Sequence, residues 1–166
     1  MILGKETIKK LMRDGLVENM VDANVQIQPV GVDLTIGHIL IPWEKCVIDF
    51  DNSQRHVSGS HALPPTADNI YHLTRGISYI VKLREKINLP KNIVGLIKSR
   101  SSLIRSGIYV ESAVWDSGYS GSGPVNLHVL NQYGLDLTTN ARICQMVFFE
   151  VDGETEGYNG IYQGEN

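Results

Sequence analysis

Turn-forming residues interrupt this chain at short intervals. Pro64-Pro65, Leu89-Pro90, Asp116-Ser117-Gly118, Ser120-Gly121-Ser122-Gly123-Pro124 and Asn131-Gln132-Tyr133-Gly134 each close an apolar run. Between them the apolar residues are largely β-branched or aromatic and alternate with polar ones, which is the pattern of strands bounded by turns. Strands are expected at residues 25–27, 33–41 (interrupted at Gly37), 78–87, 92–98, 125–131 and 141–151. One helix is expected at the start, where Ile8, Leu11, Met12 and Leu16 recur at helical spacing and Asp14-Gly15 supplies a stop. Residues 50–70 are polar and aperiodic and read as a long surface loop. The fold class is therefore all-β, a sandwich or barrel with a short N-terminal helix. At 166 residues the chain reads as a single domain, with residues 153–166, rich in Gly, Tyr, Asn and Gln, as a C-terminal arm that is mobile or docks elsewhere.

Charge and motif content narrow the function. A formal charge of −3 excludes a generally basic nucleic-acid binder but allows a local anion pocket. No apolar run approaches the ~20 residues of a membrane span, and the N-terminus lacks the order of a secretory signal. Cys46 and Cys144 are far apart and read as two inert thiols, so a cytoplasmic location is expected. The chain has no HxE…PCxxC, HExxH, GxSxG or GxGxxG, and its five histidines lack ligand spacing. A resident metal site is not expected, although a magnesium ion carried by a phosphate substrate needs few protein ligands.

Three clusters carry chemistry. Lys98-Ser99-Arg100-Ser101-Ser102, with Arg105 and Gly107, combines cations, hydroxyls and amides that suit phosphate oxygens; it also suits a solvated basic loop. In Val114-Trp115-Asp116-Ser117-Gly118-Tyr119-Ser120-Gly121 the carboxylate sits at a strand end before a tight turn. Asp116 there is either a turn former or a general base for an attacking water, and Tyr119 is either core or a platform for a sugar or base. In Arg142-Ile143-Cys144-Gln145-Met146-Val147-Phe148, Gln145 either pairs across a sheet or fixes a phosphate or water.

In this order the clusters resemble the motifs of the dUTPase and dCTP deaminase superfamily. Gly31-Val32-Asp33-Leu34 resembles the first motif, Arg100-Ser101-Ser102-Leu103 with Arg105-x-Gly107 the second, Val114-Trp115-Asp116-x-x-Tyr119-x-Gly121 the third, and Arg142-Ile143-x-Gln145-x-Val147-Phe148 the fourth. Tyr158-Asn159-Gly160-Ile161-Tyr162-Gln163-Gly164 resembles the C-terminal arm of the deaminase branch. The resemblance implies a distorted jelly-roll-like β barrel, a homotrimer with active sites shared between subunits, and a deoxypyrimidine triphosphate substrate bound with Mg²⁺. Deaminases of this superfamily carry a proton-shuttling Glu in a Leu-Glu pair after the third motif; here the pair is Leu127-His128, after an apparent insertion at Ser122-Gly123-Pro124. Ser112 and Ile161 also stand where deaminases carry Ala and Lys.

The expected activity is thus dUTP hydrolysis to dUMP and pyrophosphate, by water attack on the α-phosphorus. The resemblance gives Asp116 the role of base, Ser99, Arg100, Ser101, Ser102 and Arg105 the triphosphate, and Gln145 its α end. Tyr119 packs on the deoxyribose, the backbone from Glu111 to Trp115 (through Ser112 and Val114) reads uracil, and Tyr158 to Gln163 closes over the phosphates. Asp33 orients magnesium-bound water. The alternatives are a dCTP deaminase or bifunctional enzyme with His128 in place of Glu, and a nucleotide-binding module without turnover.

Overall fold

The first helix ends where its sequence ends it. In the computed structural model, which describes residues 1–153 and 155–165, α1 spans Lys5–Met12, buries Ile8 and gives way to Gly15 in the left-handed region at φ +82°. After β1 (Val17–Glu18) the sequence expectation needs correcting. Residues 25–27 are not one strand: a single turn, α2 (Ala23–Gln26), precedes β2 (Ile27–Gln28). The Asp22 side chain accepts from the Asn24 N–H at 2.9 Å and caps that turn, which swings the Gln26 amide inward.

β3 (Gly31–Pro42) is the long central strand. A Cβ at Gly37 would come within 3.0 Å of the Lys82 carbonyl, and the register shifts between Ile36 and His38 at that close approach. The expected loop at residues 50–70 is also corrected. β4 (Ser60–Leu63) pairs with β3, setting Leu63, Ala62 and His61 opposite Ile39, Leu40 and Ile41; Val47 bridges His56, and β5 (Ile70–Leu73) follows. The expected strand at 78–87 is two strands, β6 (Ser78–Leu83) and β7 (Lys86–Asn88). Then come β8 (Ile93–Ser99), α3 (Ser101–Arg105), β9 (Ile108–Glu111), β10 (Ser120–Gly121), β11 (Pro124–Val129), β12 (Leu135–Thr138) and β13 (Arg142–Glu150).

The main sheet runs β8-β13-β3-β6-β11-β9, with β2 and β4 also on β3; β1-β7-β10 and β12-β5 form smaller sheets, and every pairing is antiparallel. The two ends of the main sheet meet. The Ser99 hydroxyl, on β8, donates to the Val110 carbonyl at 2.9 Å and accepts from the Val110 N–H at 2.7 Å, on β9. That closure makes the sheet a barrel, as expected for the fold class, and its interior is filled by Leu34, Tyr79, Leu127, Ile143, Met146 and Phe148. Among the described residues no helix is long and apolar enough to cross a membrane.

Candidate active site

The expected site residues gather in two groups, one toward each end of β8. At its C-terminal end, Arg100 leads into α3, on which Ser101, Ser102 and Arg105 are exposed. The Nε of Arg100 pairs with Asp33 Oδ2 at 3.2 Å and its Nη1 donates to the Arg142 carbonyl at 3.2 Å. A guanidinium has five N–H donors, so three remain to meet a ligand. Arg142, whose role sequence reading left open, shares the same Asp33 oxygen at 3.1 Å. Asp33 is only 4% exposed; burial pushes its carboxyl up from the usual carboxylate value, against the pull of Arg100 and Arg142. Gln145 lies opposite both Asp33 and Lys98, half-buried on the outer face of the sheet, with no side-chain hydrogen bond among the described residues.

Two expectations are corrected at this end. The Ser99 hydroxyl is engaged twice by Val110 and holds the barrel shut, so it is not presented to a phosphate. Asp33 does not stand open to metal-bound water: its Oδ2 is held between two guanidiniums. Among the described residues no three His, Cys, Asp or Glu side chains gather as a cation cage either. Within one chain, then, the described residues form no carboxylate cage for a metal ion.

The second group is built on the turn after Trp115. Trp115 exchanges both backbone hydrogen bonds with Gly95 of β8, at 2.9 and 3.0 Å. The chain then turns, with the Tyr119 N–H donating to the Asp116 carbonyl at 3.1 Å and Gly118 at φ +77°. Asp116 thus forms the turn through its backbone and leaves its carboxylate exposed, in the wall of a cavity of about 480 Å³. Tyr119 is buried edge-on between Trp115 (centroids 5.2 Å apart) and Tyr158 (5.6 Å). Burial first, then Glu165 and Tyr158, pushes its phenol up to about 12. Ser112 accepts from the Trp115 indole N–H at 3.2 Å, and Val114 is exposed at the cavity mouth.

The arm docks on this turn of its own chain. The Tyr158 N–H donates to the Ser117 carbonyl at 2.7 Å, and the Gln163 amide bridges the Gly118 carbonyl (2.9 Å) and the Ser120 N–H (3.0 Å). Glu165 accepts from the Ser122 N–H through its carbonyl and pairs with Lys82 at 3.2 Å. Tyr158 and Tyr162 complete the cavity wall beside Asp116. A second pocket, about 320 Å³, lies between Glu111, Ser112 and Ala113 on one side and Asn126 and His128 on the other. Val125, Leu127 and Val129 face the core, so His128 faces this pocket, as the alternation along β11 requires.

Sequence reading also missed two buried polar residues, Glu85 and Gln26. A signal for the first was present: Tyr79, Val81, Leu83, Glu85 and Ile87 alternate, and all five are buried. Cys144 is buried beside this region, and burial, with Glu85 and Asp33 adding to it, pushes its thiol far up.

The chain is thus a closed antiparallel barrel that carries a basic motif at one end of β8 and a carboxylate turn at the other. The 2'-deoxycytidine 5'-triphosphate deaminase of Agrobacterium tumefaciens shares the fold, with a TM-score of 0.67 at 21% identity over 91% of this chain and 48% of that one; this chain spans about half the length of that protein. The family model described as dCTP deaminase-like matches residues 2–151, and the chain belongs to that family. Within it, a probable deoxyuridine 5'-triphosphate nucleotidohydrolase of Methanosarcina acetivorans is 42% identical, over 99% of this chain and 98% of the relative. The deoxyuridine 5'-triphosphate nucleotidohydrolase of Methanocaldococcus jannaschii is 36% identical over 99% of both chains.

Proposed function

We propose that this protein is a dUTP diphosphatase. The observation that carries the reading is likeness to relatives named deoxyuridine 5'-triphosphate nucleotidohydrolase, at 36–42% identity over at least 98% of each chain. The substrate is dUTP as its magnesium complex, the ion arriving on the phosphates. Arg100 with the opening of α3 (Ser101, Ser102) holds the triphosphate, helped by Arg105 and Gln145. Asp116 takes a proton from water as its oxygen bonds the α-phosphorus; the bond from that phosphorus to the bridging oxygen breaks and pyrophosphate leaves with the electron pair. The pocket bounded by residues 111–113 and His128 takes uracil, and Tyr119 closes against the deoxyribose.

Within one chain the two groups are attached toward opposite ends of β8. Trp115 is fixed beside Gly95, and Arg100 follows the end of β8 five residues further on, a backbone separation of roughly 16 Å at strand rise. We therefore infer that Arg100 of one subunit works with Asp116 of another, in a homotrimer. A half-buried apolar strip on the outer face of β8 and β13, Val94 and Leu96 opposite Phe149 and Val147, supports association through that face. Both cysteines are free, which suits a cytoplasmic location.

The second reading, deamination of dCTP, is favoured by one observation: His128 faces the base pocket at the position where related deaminases carry Glu. Incubation with dUTP and with dCTP, reading pyrophosphate and ammonia separately, tests both. Pyrophosphate from dUTP without ammonia from dCTP is expected; stoichiometric ammonia from dCTP, abolished in His128→Ala, would replace the first reading by the second.

A further inference from the structure

Glu85 has no exposure at all, and sits where the inward row of β6 would otherwise place another apolar residue. Burying a carboxylate is costly unless its oxygens are satisfied, and here every bond goes to one short stretch of chain and the turn beside it. Oε1 accepts from Gln26 Nε2 at 2.7 Å and from the Thr35 hydroxyl at 2.8 Å, and Oε2 accepts from the Thr35 N–H at 2.9 Å. The second N–H of that Gln26 nitrogen reaches the Asp33 carbonyl at 2.9 Å, and its amide oxygen accepts from the Asp22 N–H at 3.0 Å. Residues 33 and 35 are thus gripped on the core side, while the Asp33 carboxylate holds Arg100 and Arg142 on the outside. Two carboxylates and two guanidiniums form one ladder from the core to the surface at the basic end of β8.

We infer that Glu85 is a positioning residue for the Arg100 guanidinium, acting through Thr35, Gln26 and Asp33. The ladder itself is independent of the proposed hydrolysis; that its outer rung binds phosphate rests on that reading. A side chain kept only for packing would be replaceable by an apolar one, whereas Glu85 determines where the Asp33 carboxylate stands. Arg100 must meet phosphate oxygens with hydrogen-bond accuracy, and small displacements of a positioned group cost far more in binding and rate than in stability.

The test pairs Thr35→Val, which keeps the β-branched shape but removes the hydroxyl donor, with Thr35→Ser, which keeps it; Glu85→Gln is the direct variant. Two quantities are read: binding of inorganic tripolyphosphate with Mg²⁺ by calorimetry, and KM and kcat for dUTP. Thr35→Val and Glu85→Gln are expected to weaken tripolyphosphate binding about tenfold and raise KM by a similar factor, with kcat changed far less. Thr35→Ser is expected to bind as the parent does. A lowered melting temperature with unchanged tripolyphosphate binding and KM in Thr35→Val would overturn the inference, whether or not Glu85→Gln folds. A parent that binds tripolyphosphate but does not hydrolyse dUTP would sink the hydrolase reading alone, and the binding comparison would still decide for or against Glu85. A parent that binds no tripolyphosphate would overturn the inference itself.

Discussion

Two side chains carry opposite ends of the proposed reaction, and each fails in its own way when changed. Asp116 forms its turn through the backbone carbonyl, so Asn at 116 keeps the turn and loses only the base. Turnover in Asp116→Asn is expected to fall by roughly 10²–10⁴ while a non-hydrolysable dUTP analogue still binds. Near-normal turnover would remove Asp116 from the mechanism. Arg100 is held by Asp33 and the Arg142 carbonyl, and three of its N–H groups remain for a ligand. Arg100→Ala is expected to weaken binding of the triphosphate by about 1.5–3 kcal/mol and of deoxyuridine much less. Equal losses by calorimetry would mean that Arg100 supports the fold and not the phosphates.

The element whose behaviour is most open to test is the arm. Its seat depends on a glycine with no room beside it. A Cβ at Gly121 would meet Tyr119 Oη at 2.5 Å and the Glu165 carbonyl at 2.7 Å. Tyr119 packs between Trp115 and the arm's own Tyr158, so relieving the clash at either atom displaces the arm. Gly121→Ala is therefore expected to make residues 155–165 accessible to protease and to lower kcat/KM for dUTP about tenfold. The barrel's melting temperature is expected to change little. Unaltered proteolysis would show that the arm does not depend on this seat.

At the scale of the whole molecule, two measurements probe assembly and pH. If Arg100 and Asp116 act from different subunits, inactive Arg100→Ala and Asp116→Asn chains should complement when mixed and reassociated. Random assortment leaves about a quarter of shared sites with both native residues. No recovered activity, in a mixture shown to exchange subunits, would place the site within one chain. The pH response follows from Tyr119, whose phenol is pushed up to about 12 from the ordinary 10.0, chiefly by burial. Between those values the unfolded chain has released this proton and the folded chain retains it. Its contribution to stability is therefore complete below about pH 10 and is lost as pH rises toward about 12. Denaturant midpoints across that window should fall, and fall less steeply in Tyr119→Phe.

What the sequence determined by itself was local. β-rich runs between turn residues announced β3, β6, β8 and β13, and alternation along β11 announced its inward face, because a buried strand face must be apolar whatever it pairs with. Glycines and prolines marked many of the turns, glycine because it adopts positive φ without strain and proline because its φ is already set, while Asn19, Asn52, Asn69 and Asn140 adopt positive φ as well. The order of the motifs pointed to the family, and alternation alone turned His128 away from the core, toward the pocket bounded by residues 111–113. Tertiary structure decided the rest. β4 could not be read from Ser60–Leu63, since a polar edge strand owes its form to the partner across from it. Ser99 looked like a phosphate ligand until the barrel closed on it and its hydroxyl was taken by Val110. Asp33 looked like an open carboxylate until two arginines, 67 and 109 positions further along the chain, converged on one of its oxygens. Glu85 lay in plain view in an apolar row, yet its purpose depends on Gln26 and Thr35, which only the folded chain brings to it. Strand faces follow from neighbours in sequence; hydrogen-bond partners follow from neighbours in space, and these were fixed by barrel closure.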